Sequence, residues 1–428
     1  MKITVPPNHV VIGQGNLETQ LTADEIRGLL SQAFATWDLT GARLLVIIPD
    51  GTRSGPTGLF FRMFHELLFE QVSALDYLVA LGTHPPLSEA AVHRLLGVSA
   101  AELSQRYAGV TIFNHRWDDP NTFRTLGVIP SSETQVLTNG LLSEDVPVSI
   151  NKLIFDYDQL IICAPVFPHE VAGFSGGNKY FFPGISGPEM IDFTHWLGAL
   201  LTTRDVIGIA DNPVRTVINR AAAFIDLPIL YCCQVTHAGG LAGFFIGETE
   251  IAWRQAVDLS SLVHITYVDQ PFQQVLSVLP EMYTDLWTAA KGMYKLDPVI
   301  ADGGEVILYA PHITEISYTH GRLLDEVGYH VRDYFIQQWN QYKDYPRAVL
   351  AHASHLCGSG SYQNSIEHPR IRVTLATGIP QKRCESVNLG YRDPASIHPD
   401  AWAGHENESL LLVPHAGETL YRLKNQEV

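Results

Sequence analysis

The stretch covering residues 168–196 holds the side chains of this sequence that are best suited to chemistry. In its centre, Lys179 follows the turn Ser175-Gly176-Gly177 and precedes an aromatic run at 180–182. Glycine-rich turns can bring backbone N–H groups close to an anion. A lysine pressed into an apolar pocket can have a lowered pKa and act as a nucleophile. The ordinary alternative is that Lys179 is simply an exposed lysine.

Histidines are the next signal, because imidazole is the commonest general acid or base and a common metal ligand. Of the eighteen histidines, His84, His115, His169 and His195 fall in predicted loops or at strand ends. A lone histidine is often only a core residue with satisfied hydrogen bonds. A zinc hydrolase built from His115, His169 and His195 is one alternative, but the short spacing usual for zinc ligands is missing.

A third group of polar residues follows the apolar run at 44–48. Here Asp50, Thr52 and Arg53 occupy a turn, and a second turn, Gly82-Thr83-His84, follows the run at 76–81. Arginine is suited to bidentate binding of a carboxylate. Asp50 could orient Arg53 or meet a substrate hydroxyl. The alternative is an ordinary turn with an exposed ion pair.

These residues must be positioned by alternating strands and helices. Short apolar runs bounded by Gly or Pro and separated by helical periodicity are typical of buried parallel strands in βα units. Such sheets place ligands outside the carboxyl ends of their strands. Strands are predicted at 1–13, 44–48, 76–81, 110–113, 159–163, 305–309 and 348–351. Helices are predicted at 23–35, 58–70, 88–96, 188–201, 212–223 and 283–296.

The sequence therefore predicts an α/β protein of two α/β domains with largely parallel sheets and an active site in the cleft between them. The length of 428 residues suits two or three domains. The N-terminal domain, residues 1–272, would carry the Lys179 loop, and residues 273–403 would form the second domain. The polar tail 404–428 could return to the first domain.

Composition argues against several classes of protein. The formal net charge of −17 disfavours nonspecific binding of nucleic acid or of an anionic membrane. No apolar run approaches the roughly 20 residues of a membrane span, and the N-terminus lacks a leader pattern. Five scattered cysteines without a CxxC pair favour reduced thiols in a cytoplasm. Only 17% of the residues are charged, which fits either a surface covered in a homo-oligomer or an apolar-rich α/β fold with buried parallel strands.

Two common cofactor motifs are missing. No Gly-x-Gly-x-x-Gly follows the first predicted strand, and no GxxxxGK[ST] occurs. A conventional nucleotide-dependent oxidoreductase, a further alternative, is therefore not supported.

Taken together, the motifs resemble the nickel-dependent lactate racemase family over roughly residues 10–355. The resemblance rests on Asp50-Gly-Thr-Arg53, Gly82-Thr-His84, Pro168-His169, Gly173-Phe-Ser-Gly-Gly-Asn-Lys179, Pro183-Gly-Ile, His195 and Ala290-Lys291-Gly292-Met293. The central loop is the most specific part.

The resemblance implies a nickel-pincer nucleotide, a pyridinium mononucleotide that carries nickel. It implies that Lys179 holds this cofactor covalently, that His195 is a nickel ligand, and that His84 and His169 are the paired acid and base. The cofactor region would also include Ser175, Gly176, Gly177, Asp50, Thr52, Trp287 and Thr288. Substrate would meet Arg53, Lys291 and Trp339.

The activity implied is inversion of carbon 2 of a 2-hydroxy acid by hydride transfer. Departures from the family pattern put lactate itself in doubt. Pro85 stands where lactate-specific members have Arg, and Trp287-Thr288 stands where they have Tyr-Gln. Together with the polar run 312–322, these changes favour a larger or more polar substrate, such as an aldonate. Lactate racemase proper and a non-catalytic nickel-nucleotide-binding protein are the alternatives. The expected partners are the small-molecule substrate and the enzymes that make and load the cofactor.

Overall fold

The computed structural model describes residues 11–424. Most of the first predicted strand, at 1–13, lies outside the described residues, and the first strand within them is Ile12–Gly15.

The chain alternates strands and helices along most of its length. The helices are α1 (Ala23–Ala35), α2 (Thr57–Leu68), α3 (Glu89–Leu96), α4 (Ala100–Gln105), α5 (Ser131–Leu137), α6 (Pro188–Leu201), α7 (Thr203–Val206), α8 (Pro213–Ala222), α9 (Thr249–His264), α10 (Leu286–Ala289), α11 (Lys291–Tyr294), α12 (Gly321–Val327), α13 (Arg332–Gln337), α14 (Trp339–Tyr342), α15 (Arg347–Cys357) and α16 (Gln381–Ser386). The strands are β1 (Ile12–Gly15), β2 (Arg43–Ile48), β3 (Ala74–Val79), β4 (Ile112–Asn114), β5 (Phe123–Ile129), β6 (Val146–Asn151), β7 (Gln159–Pro165), β8 (Pro168–His169), β9 (Gly173–Phe174), β10 (Ile229–His237), β11 (Gly240–Gly247), β12 (Ile265–Val268), β13 (Phe272–Val278), β14 (Ile300–Ala310), β15 (Gly360–Gln363), β16 (Ile366–Pro369), β17 (Arg372–Thr377), β18 (Gly390–Tyr391), β19 (Leu410–Val413) and β20 (Leu420–Leu423).

Contacts divide the chain into two compact units. Unit 1 comprises residues up to Phe167, Ser175–Ile191 and Arg215–Val263. Unit 2 comprises Pro168–Phe174, Asp192–Val214 and the chain from His264 onward. The observed division at 263/264 differs from the expected one at 272/273, because β12 already pairs with β20 near the C-terminus. The segment 168–196 is also shared between the units and does not belong wholly to the first.

Unit 1 is built on a seven-stranded sheet with the order β1-β11-β10-β7-β2-β3-β4. The strands from β10 to β4 are parallel, while β11 and β1 add to one edge in antiparallel fashion. Strand β2 is buried from Leu44 to Ile48, as a central parallel strand covered on both faces must be. The predicted fold class, α/β with largely parallel sheets, is confirmed.

Unit 2 contains a five-stranded parallel sheet with the order β18-β17-β14-β13-β19. Strand β19 comes from the C-terminal tail, and its Leu411 pairs with Val275 of β13. Up to Lys424, where the described residues end, the tail belongs to unit 2, whereas the sequence suggested that it could return to the first domain. Its buried Leu411 and Val413 complete the edge of the second sheet instead.

Several helix boundaries follow directly from local chemistry. Thr22 and Glu25 form a capping box before α1, in which each side chain satisfies a backbone N–H of the other residue. Ser88 caps α3, and Gly97 in the left-handed region ends it. The predicted bounds of α1 and α6 match those observed.

Two predictions in the second half are wrong. The strand predicted at 348–351 is part of helix α15, which begins after Pro346 and is rich in Ala and Leu. The helix predicted at 283–296 is broken into α10 and α11, and Asp285 caps the first of these.

Within residues 11–424, none of the helices combines the length and the apolar character that a membrane crossing requires.

Two helical glycines give a matched test of packing in unit 1. A Cβ at Gly58 of α2 would lie 2.3 Å from the carbonyl oxygen of Leu96, whereas a Cβ at Gly28 of α1 would meet nothing within 4 Å. We expect Gly58→Ala to destabilise the fold by about 1–3 kcal/mol through overpacking. Gly28→Ala should instead stabilise it by up to about 1 kcal/mol through helix propensity. Thermal unfolding midpoints of both variants test this, and equal shifts of the same sign would contradict the packing.

Candidate functional site

The turn after β2 holds the carboxylate of Asp50 against the turn after β3. Its Oδ2 contacts Nδ1 of His84, and its Oδ1 accepts from the Thr52 hydroxyl at 2.7 Å and from the Thr52 N–H at 3.1 Å. The Asp50 side chain is 7% exposed and that of His84 is 20% exposed. A neutral His84 donating from Nδ1 to the carboxylate carries its lone pair on Nε2.

The backbone around His84 is fixed from two sides within unit 1. Gly82, with a φ of +57°, donates its N–H to the carbonyl oxygen of Gly184 at 2.9 Å. The indole of Trp117 donates to the carbonyl oxygen of His84 at 3.1 Å. The Gly82–Gly184 bond ties the histidine turn to the segment that follows Lys179.

Arg53 is half-buried close to the same turn. Its guanidinium lies 5.8 Å from the centre of the Phe167 ring. Burial raises the pKa of the nearby Tyr180 hydroxyl, and the Arg53 charge opposes that rise. The arginine thus brings a positive charge to the carboxyl edge of the sheet in unit 1.

The turn before Lys179 is anchored to the end of β7. The Ser175 hydroxyl donates to the carbonyl oxygen of Pro165 at 2.8 Å, and the Ser175 N–H donates to that of Phe167 at 2.9 Å. Since the Ser175 N–H already donates to Phe167, this N–H does not contribute to the anion cradle that the sequence suggested for the turn.

Lys179 itself lies in a short 3-10 turn, Gly177–Tyr180. Its N–H donates to the carbonyl oxygen of Gly176 at 3.3 Å. Lys179 is half-buried, while Phe181 and Phe182 behind it are fully buried. The aromatic run therefore anchors the segment, as its composition suggested, and the lysine is its partly accessible member.

His169 belongs to unit 2, in the two-stranded pair of β8 with β9. It is 5% exposed, and its Nδ1 accepts the N–H of Val171 at 3.1 Å. In its neutral form the ring therefore carries hydrogen on Nε2. The buried ammonium of Lys295 donates to the carbonyl oxygen of Pro168, which fixes the residue before the histidine.

His195 is half-buried on α6 of unit 2. Its neighbour Trp196 stacks on Trp339, with ring centres 5.4 Å apart and planes 25° from parallel. The predicted substrate residue Trp339 is thus packed beside the helix that carries the predicted nickel ligand.

The segment containing α10 and α11 presents the remaining predicted residues. Thr288 donates its hydroxyl to the Asp285 carboxylate at 2.8 Å. The ammonium of Lys291 lies 5.0 Å from the centre of the Tyr283 ring, and the residue is only 7% exposed. The Lys291 side chain is therefore largely removed from solvent.

Sequence reasoning missed two histidines of α15, His352 and His355, because it assigned the preceding residues to a strand. Trp287 stacks on His352 at 4.0 Å. Burial lowers the pKa of His352 well below its ordinary value, and it lowers that of His355 to about 4. Both are therefore neutral at pH 7. Their i, i+3 spacing on a helix was the available signal.

Among residues 11–424, no three or more His, Cys, Asp or Glu side chains come together as potential metal ligands.

Comparisons with known proteins agree on one family. A family model described as the lactate racemase N-terminal domain matches residues 27–208. The lactate racemase of Thermoanaerobacterium thermosaccharolyticum is 26% identical over 174 residues. That match covers 40% of this chain and 41% of the relative, so the chain spans about two fifths of the length of the curated relative it matches.

Two solved structures share the fold. A crystal structure of a protein from Thermotoga maritima has a TM-score of 0.88 and 32% identity, and the match covers 96% of this chain and 100% of that chain. The lactate racemase apoprotein from T. thermosaccharolyticum has a TM-score of 0.67 and 18% identity, with 90% of this chain and 88% of that chain covered. At 18% identity, the second likeness concerns the fold alone.

His115 yields a pH prediction for unit 1. It is fully buried, Asn151 lies 3.1 Å from its Nδ1, and burial lowers its pKa to about 4. The unfolded chain takes up this proton near pH 6.5, so the stability that neutral His115 confers is complete above that pH. It is lost as the pH falls toward 4, on the order of 2–3 kcal/mol. His115→Gln should therefore flatten the fall of the unfolding midpoint between pH 6.5 and 4.

The matched control is His237→Gln, which changes an exposed histidine. It should leave the pH profile as in the wild type. A His115→Gln profile parallel to that of the wild type would contradict the assignment.

Proposed function

This chain belongs to the lactate racemase family, and from that premise we propose that it is a racemase or epimerase that inverts carbon 2 of a 2-hydroxy acid. The proposed substrate is larger or more polar than lactate, such as an aldonate. The family model and the T. thermosaccharolyticum relative support the general activity. The proposal of a substrate larger or more polar than lactate rests on residues of this chain alone.

The observation that carries the proposal is how two histidines are held. Nδ1 of His84 faces a carboxylate, and Nδ1 of His169 faces a backbone N–H. Because Nδ1 of each ring has a protein partner, we assign proton exchange to Nε2, and His169 must change the partner of its Nδ1 for this exchange. Inversion without net redox change needs one acid or base for each face of a planar carbon, and a protein that only binds needs neither.

The residues present fit the cofactor that the family implies. Lys179 is a partly accessible amine in an otherwise buried segment, as a covalent anchor must be. The half-buried imidazole of His195 is a donor that suits Ni(II). Asp50, Thr52, Ser175, Gly176, Gly177, Trp287 and Thr288 are proposed to surround the cofactor. When bound, the nickel-pincer nucleotide supplies a hydride acceptor that takes the carbon-2 hydrogen and returns it.

His84 starts the reaction in one direction. Its Nε2 lone pair accepts the proton of the substrate hydroxyl while the hydride leaves carbon 2, and the Asp50 carboxylate stands beside the imidazolium that forms. The substrate becomes a planar 2-keto acid. When carbon 2 is reduced on its other face, the ketone oxygen would become a hydroxyl whose proton comes from Nε2 of His169.

His169 can give that proton only from its doubly protonated form, because a neutral imidazole does not release its last N–H. Nδ1 must then turn from the Val171 N–H to an acceptor. The carboxylate of Glu170, 3.6 Å from Nδ1, is placed to receive it. In the opposite direction the two histidines exchange roles, and His169 then acts as the base in the tautomer that has hydrogen on Nδ1, facing Glu170, and a lone pair on Nε2.

The substrate carboxylate is proposed to meet Arg53 and Lys291. With a net charge of −17, the protein has no general attraction for an anion and must use placed cations. Trp339 is proposed to contact the rest of the substrate. Pro85 in place of Arg, the Trp287-Thr288 pair and the hydroxyl- and imidazole-bearing stretch 317–320 favour a pocket for additional hydroxyl groups.

Covalent attachment gives the first test. When the chain is produced together with the enzymes that make and load the cofactor, intact-mass measurement should show an increment on the wild type and none on Lys179→Ala. Lys343→Ala, which removes an exposed lysine, is the matched control and should keep the increment. An increment on Lys179→Ala equal to that of the wild type would refute the anchor.

The substrate is tested with loaded protein and a panel of 2-hydroxy acids, read by chiral chromatography. We expect an aldonate to be inverted faster than lactate, and a deuterium on carbon 2 to stay largely on the product because hydride transfer occurs within the site. Lys291→Met should lower turnover efficiency roughly ten- to a hundredfold by removing a charge-assisted contact. Fastest turnover of lactate would make the chain a lactate racemase proper. No turnover of any acid by loaded protein would make it a binding protein, and loss of deuterium to water would refute hydride transfer.

A further inference from the structure

We propose that Arg215 and Trp253 are positioning residues that together hold the backbone turn from which Lys179 is presented. Both belong to unit 1, and neither lies in the loop or in any motif of the sequence analysis. The inference rests on the proposed function only in taking Lys179 as the residue that binds the cofactor. The contacts of Arg215 and Trp253 with the turn do not depend on that function.

Trp253, on α9, is 1% exposed and lies directly beneath the turn. Its indole N–H donates to the carbonyl oxygen of Ser175 at 2.8 Å. A Cβ at Gly177 would lie 3.1 Å from this ring, and one at Gly176 would lie 3.4 Å from it. Gly176 and Gly177 also have positive φ, at 78° and 58°. A side chain at Gly177 would press on the indole, and one at Gly176 would clash with Val166 at 2.5 Å, so the two glycines allow the turn to pack against Trp253 and its surroundings.

Arg215, on α8, is 3% exposed and packs against the same indole. Its guanidinium carbon lies 4.1 Å from the ring centre, a close cation–π contact. One of its terminal nitrogens donates to the carbonyl oxygen of Gly176 at 3.3 Å. Burial lowers the pKa of this guanidinium to about 10, and the charge of Glu250 opposes the shift, so the group is still cationic at pH 7.

The two contacts act on consecutive peptide groups. Trp253 fixes the carbonyl of Ser175, and Arg215 fixes that of Gly176, which also accepts the N–H of Lys179 at 3.3 Å. The orientation of the lysine backbone is thus tied to the guanidinium through one shared oxygen. Holding a reactive side chain through its supporting residues is how sites are preorganised.

The experiment uses the full chain without cofactor, so that it does not depend on turnover. Hydrogen–deuterium exchange is followed across residues 173–183. Acetylation of Lys179 by an N-hydroxysuccinimide ester is followed by peptide mass spectrometry, with the exposed lysines Lys343 and Lys382 as internal references. Trp253→Phe keeps an aromatic ring and removes the indole donor. Arg215→Met removes the charge and the donor, and Arg215→Lys restores both in part.

We expect Trp253→Phe and Arg215→Met each to speed exchange in 173–183 by roughly three- to tenfold, the range for one lost hydrogen bond. Acetylation of Lys179 relative to the two reference lysines should rise with it. Arg215→Lys should fall between Arg215→Met and the wild type, because it can still donate to Gly176. Trp402→Phe, a half-buried tryptophan of unit 2, is the matched control and should change neither readout.

Unchanged exchange and acetylation in both Trp253→Phe and Arg215→Met would overturn the proposal. So would faster exchange spread evenly over all peptides, since that reports general destabilisation. If Trp253→Phe or Arg215→Met fails to fold, the result for Arg215→Lys decides. Its hydrogen–deuterium exchange must then be faster than in the wild type within residues 173–183 only. Loss of the covalent increment in Lys179→Ala is measured separately, so failure of the anchor and failure of the positioning pair give different results.

Discussion

The polar residues of unit 1 depend on one constraint, the common edge at which its parallel strands end. Strands β2, β3 and β7 are neighbours in register, with Ile47 opposite Leu78 and Ile162. Their carboxyl ends are therefore level, and the turns that follow must meet. The Asp50–His84 contact and the bond of Ser175 to Pro165 both lie at this edge. The sheet thus brings together residues that are more than a hundred positions apart in the sequence.

This constraint also explains which site residues the sequence could predict. A strand end can be recognised from an apolar run followed by Gly or Pro, so Asp50, His84 and the Ser175-Gly176-Gly177 turn could be found from the sequence alone. Their partners could be found only in part. The turn by itself offered Asp50 a role beside Arg53 or a substrate hydroxyl, and only the family resemblance placed it near His84, which it contacts in the folded chain. The contact of Trp253 with Ser175 could not be predicted from the sequence, because the two residues are 78 positions apart and no local pattern links them.

In unit 2, the strand predicted at 348–351 was wrong because a short apolar run does not distinguish a strand from a helix. Four apolar residues followed by a histidine fit a buried strand or one turn of a buried helix equally well. The following residues decide, since α15 continues through a second histidine to Cys357 and is buried on nearly all sides. As a helix, it turns His352 toward Trp287, with Tyr294 and Tyr329 near its ring nitrogens. A histidine surrounded in this way is neutral and acts by shape and hydrogen bonding.

The different partners of His84 and His169 have a consequence for the proposed chemistry. A carboxylate accepts from Nδ1 in both protonation states of His84, so this histidine can gain and lose a proton without moving. The N–H of Val171 can only donate, so a second proton on His169 requires Nδ1 to leave it, and Glu170 at 3.6 Å is the neighbouring acceptor. In the proposed mechanism, proton exchange at His169 would therefore need its Nδ1 to change partner, whereas His84 would keep the same partner throughout.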